Sequence, residues 1–106
     1  MIFARVVGTV VSTNKEPKLV GKKLLLVQPV EPNGTPKGSP LVAVDAVGSG
    51  EGEFVLLVQG SSARQTAATE GNPVDCVVAA IVDTVEQGGK AVFEKAKDKA
   101  VHGSTR

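Results

Sequence analysis

The sequence predicts a small all-β domain carrying one short helix, and three observations support that expectation. Short runs rich in Val, Ile, Leu and Phe recur through the 106 residues. Clusters of Gly, Pro, Asn and Ser separate them, as in a barrel or sandwich of short strands. One stretch, 61–68, joins Ser N-cap candidates to good helix formers.

The first strand is expected at 2–12, where Ile2-Phe3-Ala4-Arg5-Val6-Val7 begins a run of good strand formers. Residues 14–21 read as a surface loop. A second strand is expected at 22–30. The connection after it, Glu31-Pro32-Asn33-Gly34-Thr35-Pro36-Lys37-Gly38, has the chemistry of an exposed turn between adjacent antiparallel strands. Third and fourth strands follow at 40–47 and 53–59, then the helix, which Gly71-Asn72-Pro73 stops. The fifth strand is expected at 77–85. The stretch 91–100 fits either a charged amphipathic helix or a short edge strand, and the pattern does not choose between them.

Nearly every residue in 53–59 and 77–82 is apolar, although successive strand side chains point to opposite faces. Both faces therefore need cover. One short helix cannot supply it all, and the simpler expectation is that one face meets a neighbouring subunit.

Lys and Arg number 12 against 11 Asp and Glu, so there is no net field of the kind that draws proteins to phosphate backbones or anionic membranes. No apolar run approaches the roughly 20 residues needed to span a bilayer. Met1 leads straight into the first strand without an export signal. A soluble, cytoplasmic protein with no membrane partner is the expectation. Cys76 is the only cysteine, which excludes an internal disulfide, and its apolar surroundings suit a small core side chain.

No motif argues for catalysis, a cofactor or a metal. Gly48-Ser49-Gly50-Glu51-Gly52 precedes a strand, whereas a phosphate loop needs a following helix whose amides face the anion. Its glycines suit a tight turn instead. Gly60-Ser61-Ser62-Ala63-Arg64 has Arg where a nucleophile elbow requires Gly. The one imidazole, His102, lies near the chain end, so a Ser-His triad and a zinc site both lack partners. Asp45, Glu51, Glu53 and Asp83 read as solvated or ion-paired acids. Five strands and a helix are also the parts of an OB fold that binds single-stranded nucleic acid through stacking aromatics. That equipment is missing: there is no Trp or Tyr, and Phe3, Phe54 and Phe93 sit inside apolar runs.

Five segments, taken in order, resemble the bacterial microcompartment vertex proteins, the family of the carboxysome and ethanolamine-utilisation shell pentamers. They are Ala4-Arg5-Val6-Val7-Gly8-Thr9-Val10-Val11; Lys23-Leu24-Leu25-Leu26-Val27-Gln28-Pro29; Val44-Asp45-Ala46-Val47-Gly48-Ser49-Gly50-Glu51-Gly52-Glu53; Val58-Gln59-Gly60-Ser61-Ser62-Ala63-Arg64; and Ala80-Ile81-Val82-Asp83. The resemblance implies an OB-like five-stranded β-barrel with one short helix, occupying 1–96 and followed by a tail at 97–106. It favours a short extended segment near 92–95 over the helical alternative.

The implied role is structural: a homopentamer that caps the vertices of a shell whose facets are hexameric shell proteins. A pentagonal tile removes a wedge from a flat hexagonal sheet and forces it to close. The competing expectation is a monomeric OB-like module for nucleic acid or peptide. The resemblance also places 47–52 and 60–64 toward the ring axis and the subunit junctions, where a narrow pore is implied. This makes Asp45, Gly48, Ser49, Gly50, Glu53, Gly60, Ser61, Ser62 and Arg64 the candidate interface or pore residues. Arg64 is expected to reach a carboxylate or carbonyl groups across the junction, with Asp45 and Glu53 as the first acids to consider, and the alternative is a solvated helix residue.

Overall fold

The computed structural model describes residues 1–13, 21–60 and 76–98. The strands among them are β1 (Ile2–Val10), β2 (Leu24–Pro29), β3 (Leu41–Asp45), β4 (Phe54–Gln59), β5 (Cys76–Ile81), β6 (Thr84–Gln87) and β7 (Lys90–Glu94), followed by a 3-10 turn at Lys95–Lys97. The first five close into a barrel in the order β1-β2-β3-β5-β4, and β6 and β7 form a separate two-stranded sheet. The all-β, OB-like five-stranded barrel expected from the sequence is therefore present. The expected loop over 14–20, the helix at 61–68 and its stop at 71–73 lie outside the described residues.

Closure depends on β1, which pairs antiparallel with β2 along one edge and β4 along the other. The circuit is completed by a short parallel pairing of β3 with β5, through Val44↔Val77 and Asp45↔Val78. Five strands must curve tightly to meet, and two irregularities supply the bend. Val7 is skipped between Val6↔Val27 and Gly8↔Leu26, and Ala79 between Leu57↔Val78 and Leu56↔Ala80. Such bulges bend a strand and increase its twist.

The interior is filled by alternate residues of all five strands: Ala4, Val6, Leu25, Val27, Ala43, Val55, Leu57 and Val78, with Ile2, Leu41, Cys76 and Ile81 packed against them. Their neighbours in sequence point outward, and many of those are covered too. Val44 and Val77 are buried together with half-buried Leu24 and Val58. Val30, Phe54 and Phe93 form a third cluster, joined by Phe3, Val82 and Val85. Phe54 meets Phe93 at 4.1 Å between ring centres and Phe3 edge-on at 5.6 Å.

The β6–β7 hairpin thus lies over the outer face of β1 and β4. Much of the cover expected from a neighbouring subunit is supplied by the chain itself. Among the described residues a row across β1, β2 and β3, formed by Gly8, Leu26 and Val42, stays partly open, with Val42 51% exposed and Val7 beside it 40% exposed.

The expected fifth strand, 77–85, is divided. Val82 donates to the Phe54 carbonyl at 2.8 Å, which is where β4 begins. With no further barrel partner, the chain leaves and pairs as β6 with β7 around the turn Gly88–Gly89. Of the stretch 91–100, residues 91–98 are described, and there the alternatives resolve in favour of a strand through Glu94, as the resemblance implied, and then one 3-10 turn. The connection 31–38 is the turn expected: Gly34 donates to the Glu31 carbonyl at 2.8 Å and Thr35 to Asn33 Oδ1 at 3.0 Å. Gln28 Nε2 closes its base on the carbonyls of Pro29, Lys37 and Gly38.

Candidate subunit-junction site

The segment between β3 and β4 is built around one carboxylate oxygen. Asp45, the last residue of β3, accepts at Oδ1 from the backbone of Val47 and Gly48 at 3.1 Å and Ser49 at 3.2 Å, and from Ser49 Oγ at 3.1 Å. A short acidic side chain turning back on its own following amides is the usual reason for Asp at such a corner. Gly48 follows in the left-handed region, φ 75°, where a Cβ would be strained. Ser49 is fully buried. Its carbonyl accepts from Lys23 Nζ at 3.1 Å, and Ala46 donates to the Val78 carbonyl at 3.2 Å. The corner is thereby tied to the residue that precedes β2 and to β5.

A second turn completes the connection. Glu53 donates to the Gly50 carbonyl at 3.1 Å, with Gly52 at φ 91° between them. Gly52 donates to the Val6 carbonyl at 2.8 Å, and Val6 returns a bond to the Glu53 carbonyl at 2.9 Å. The two turns hold Asp45, Gly48, Ser49, Gly50 and Glu53 in one compact loop. The strand β4, not a helix, follows this loop directly.

Gly60 follows β4 directly, exposed and at φ 68°; β5 lies between β4 and β3. Ser61, Ser62 and Arg64 lie outside the described residues. Of the two acids considered for Arg64, Glu53 is already engaged, with its Oε2 3.1 Å from Lys95 Nζ. Asp45 commits only Oδ1, and among the described residues Oδ2 accepts no hydrogen bond.

Four polar residues that organise this region carry no role in the sequence reading: Arg5, Lys23, Lys95 and Asp98. A cation placed inside the apolar run of β1 is the signal that marks Arg5. Cys76, opposite Gln59, is half-buried, and burial pushes its thiol above the ordinary 9.0. The thiol stays protonated at neutral pH and serves packing.

Asp45→Ala is expected to cost about 1–3 kcal/mol, because the buried amide and hydroxyl of Ser49 lose their acceptor. Asp45→Asn keeps a carbonyl oxygen in the same place and should lose less. Urea unfolding at one fixed protomer concentration compares them, and equal losses would show that the Oδ1 contacts do not hold the corner.

Residues 1–83 match the family described as ethanolamine utilisation protein EutN/carboxysome. The chain is 47% identical over 95 residues to the bacterial microcompartment shell vertex protein EutN of Escherichia coli K12, covering 90% of this chain and all of the relative. The solved structure of Gloeobacter violaceus CcmL superposes with a TM-score of 0.85 at 47% identity, covering 91% of this chain and 99% of the other. The GrpN pentameric microcompartment shell protein from Rhodospirillum rubrum superposes with a TM-score of 0.76 at 47% identity, over 82% of this chain and 99% of that one.

Proposed function

Because the chain belongs to the ethanolamine utilisation protein EutN/carboxysome family, we propose that it is a non-catalytic shell subunit, forming a homopentamer that caps the vertices of a bacterial microcompartment in the cytoplasm. The observation that carries this reading is the likeness to GrpN, a pentameric shell protein, over 99% of its length at 47% identity.

A five-membered ring needs two different, complementary patches on each subunit, related by a rotation that closes. The open apolar row Gly8, Leu26 and Val42, with Val7 beside it, supplies one surface that gains from being covered. The polar loop 45–53, with Gly60, Ser61, Ser62 and Arg64, supplies the other in this reading, facing the ring axis and its pore. The outer rim then meets hexameric shell proteins.

Nucleic acid is not a partner in this reading. Phe3, Phe54 and Phe93 pack against one another within the chain, and so do not form an exposed platform for bases. Native mass spectrometry tests the proposal: a species of five protomers is expected. A stable monomer at micromolar concentration would overturn the ring and favour the binding-module alternative.

A further inference from the structure

We propose that Arg5 is the positioning residue of the 50–53 turn, and that it makes the shape of this turn depend on the seating of the C-terminal segment. The inference rests on the reading above only in calling that turn part of a subunit junction.

One nitrogen of Arg5, Nη1, donates to the Gly52 carbonyl at 2.9 Å and to Asp98 Oδ2 at 2.8 Å. It carries two hydrogens, one for each acceptor. Both side chains are largely withdrawn from water, with 19% exposure at Arg5 and 10% at Asp98. Their attraction is therefore screened much less than that of a surface pair. The guanidinium carbon lies 5.5 Å from the centre of the Phe54 ring, within the range of a cation over an aromatic face. On another side the 31–38 loop closes in, so that a Cβ at Gly34 would come within 3.5 Å of Arg5 Nη2. The guanidinium is thus held in place by the ring, the loop, the turn and the C-terminal segment together.

The C-terminal segment answers with a charge of the opposite order. Lys95 Nζ lies 3.1 Å from Glu53 Oε2, and the Lys95 amide donates to the Asp83 carbonyl at 2.8 Å. Barrel cation to segment acid and segment cation to barrel acid make a crossed pair. It accepts the segment in one orientation, since sliding it would bring like charges together. Both members of the cross end at the same turn, Arg5 on the Gly52 carbonyl and Lys95 on the Glu53 carboxylate. Release of 95–98 therefore loosens 50–53, although the two are far apart in sequence.

Amide hydrogen exchange on the full chain tests this. Asp98→Ala is expected to speed exchange at the Gly52 and Glu53 amides by about tenfold or more, through local opening of the turn. Asp98→Asn, which keeps one oxygen acceptor and the shape, should give a smaller acceleration, and it carries the test if the alanine variant fails to fold. Arg5→Lys should speed the same two amides while retaining the charge. Lys97→Ala, which removes only the exposed pair with Glu94 at 3.6 Å, should leave them unchanged. Acceleration confined to 93–98, with the turn protected as in wild type, would overturn the inference. Native mass on the same wild-type sample keeps the two ideas separate: a monomer there sinks the ring reading, whereas unchanged exchange at the turn in a pentamer sinks only the role of Arg5.

Discussion

Phe54→Ala should destabilise the subunit by about 3–5 kcal/mol, the range for truncating a large aromatic in a core. Phe54 is 1% exposed and is the middle member of the Phe3-Phe54-Phe93 cluster. Its removal leaves a cavity where the β6–β7 hairpin rests on the barrel, and it also takes away the ring beneath Arg5. The hairpin has few other apolar anchors among the described residues, since Phe93 is the only buried residue of β6 and β7. Denaturant unfolding should be compared at one fixed protomer concentration, because assembly adds a mass-action contribution. A loss below about 1 kcal/mol, the size of an ordinary surface substitution or little more, would show that the hairpin does not pack on β4.

Arg64→Ala should weaken the proposed ring by about 2–5 kcal/mol per contact, the range for truncating one partner of a buried, hydrogen-bonded charge pair. The partner we favour is Asp45, whose Oδ1 is occupied by its own corner while Oδ2 accepts nothing among the described residues. Glu53 is the poorer choice because Lys95 holds it. At about 1.4 kcal/mol per tenfold, such a loss raises the dissociation constant of a contact by about 30-fold or more. Arg64→Lys keeps the charge without the planar fork and should weaken the ring less. Circular dichroism should report an unchanged fold while native mass at several dilutions reports earlier dissociation. An Arg64→Ala ring as resistant to dilution as wild type would mean that Arg64 stands in solvent, where a pair contributes at most about 1 kcal/mol.

The barrel strands were legible because their runs of Val, Leu and Ile end at residues that break strands. Pro32, Asn33 and Gly34 announce the β2–β3 turn by their own backbone preferences, and the glycines after Asp45 do the same for the corner. The end of β5 was not legible. Val82-Asp83-Thr84-Val85 continues a strand-like composition, and only the position at which β4 begins decides that the chain changes partner there. Strand propensity describes fit to a half-buried surface and carries no information about which neighbour provides it. The contacts of Arg5 were hidden for a related reason. Asp98 is 93 positions away, and neither residue has a local signature that names the other. Asp45 could be singled out, but whether it turned inward to its own loop or outward to a neighbour depended on the two oxygens it carries, and the structure shows the first use.

The parallel pairing of β3 with β5 has a consequence for the time at which a subunit becomes competent to assemble. Antiparallel neighbours such as β2 and β3 can zip together soon after they are synthesised, but Val44 and Asp45 must wait for Val77 and Val78. Contacts between segments so distant in sequence are slow to form, since the chain entropy of closing the intervening loop is lost before the contact is gained. The corner at Asp45 leans on β5 through the bond from Ala46 to Val78, so it matures only after that slow step. A nascent chain therefore has its β2–β3 hairpin long before the corner at Asp45 is complete, and the order of these events is built into the topology.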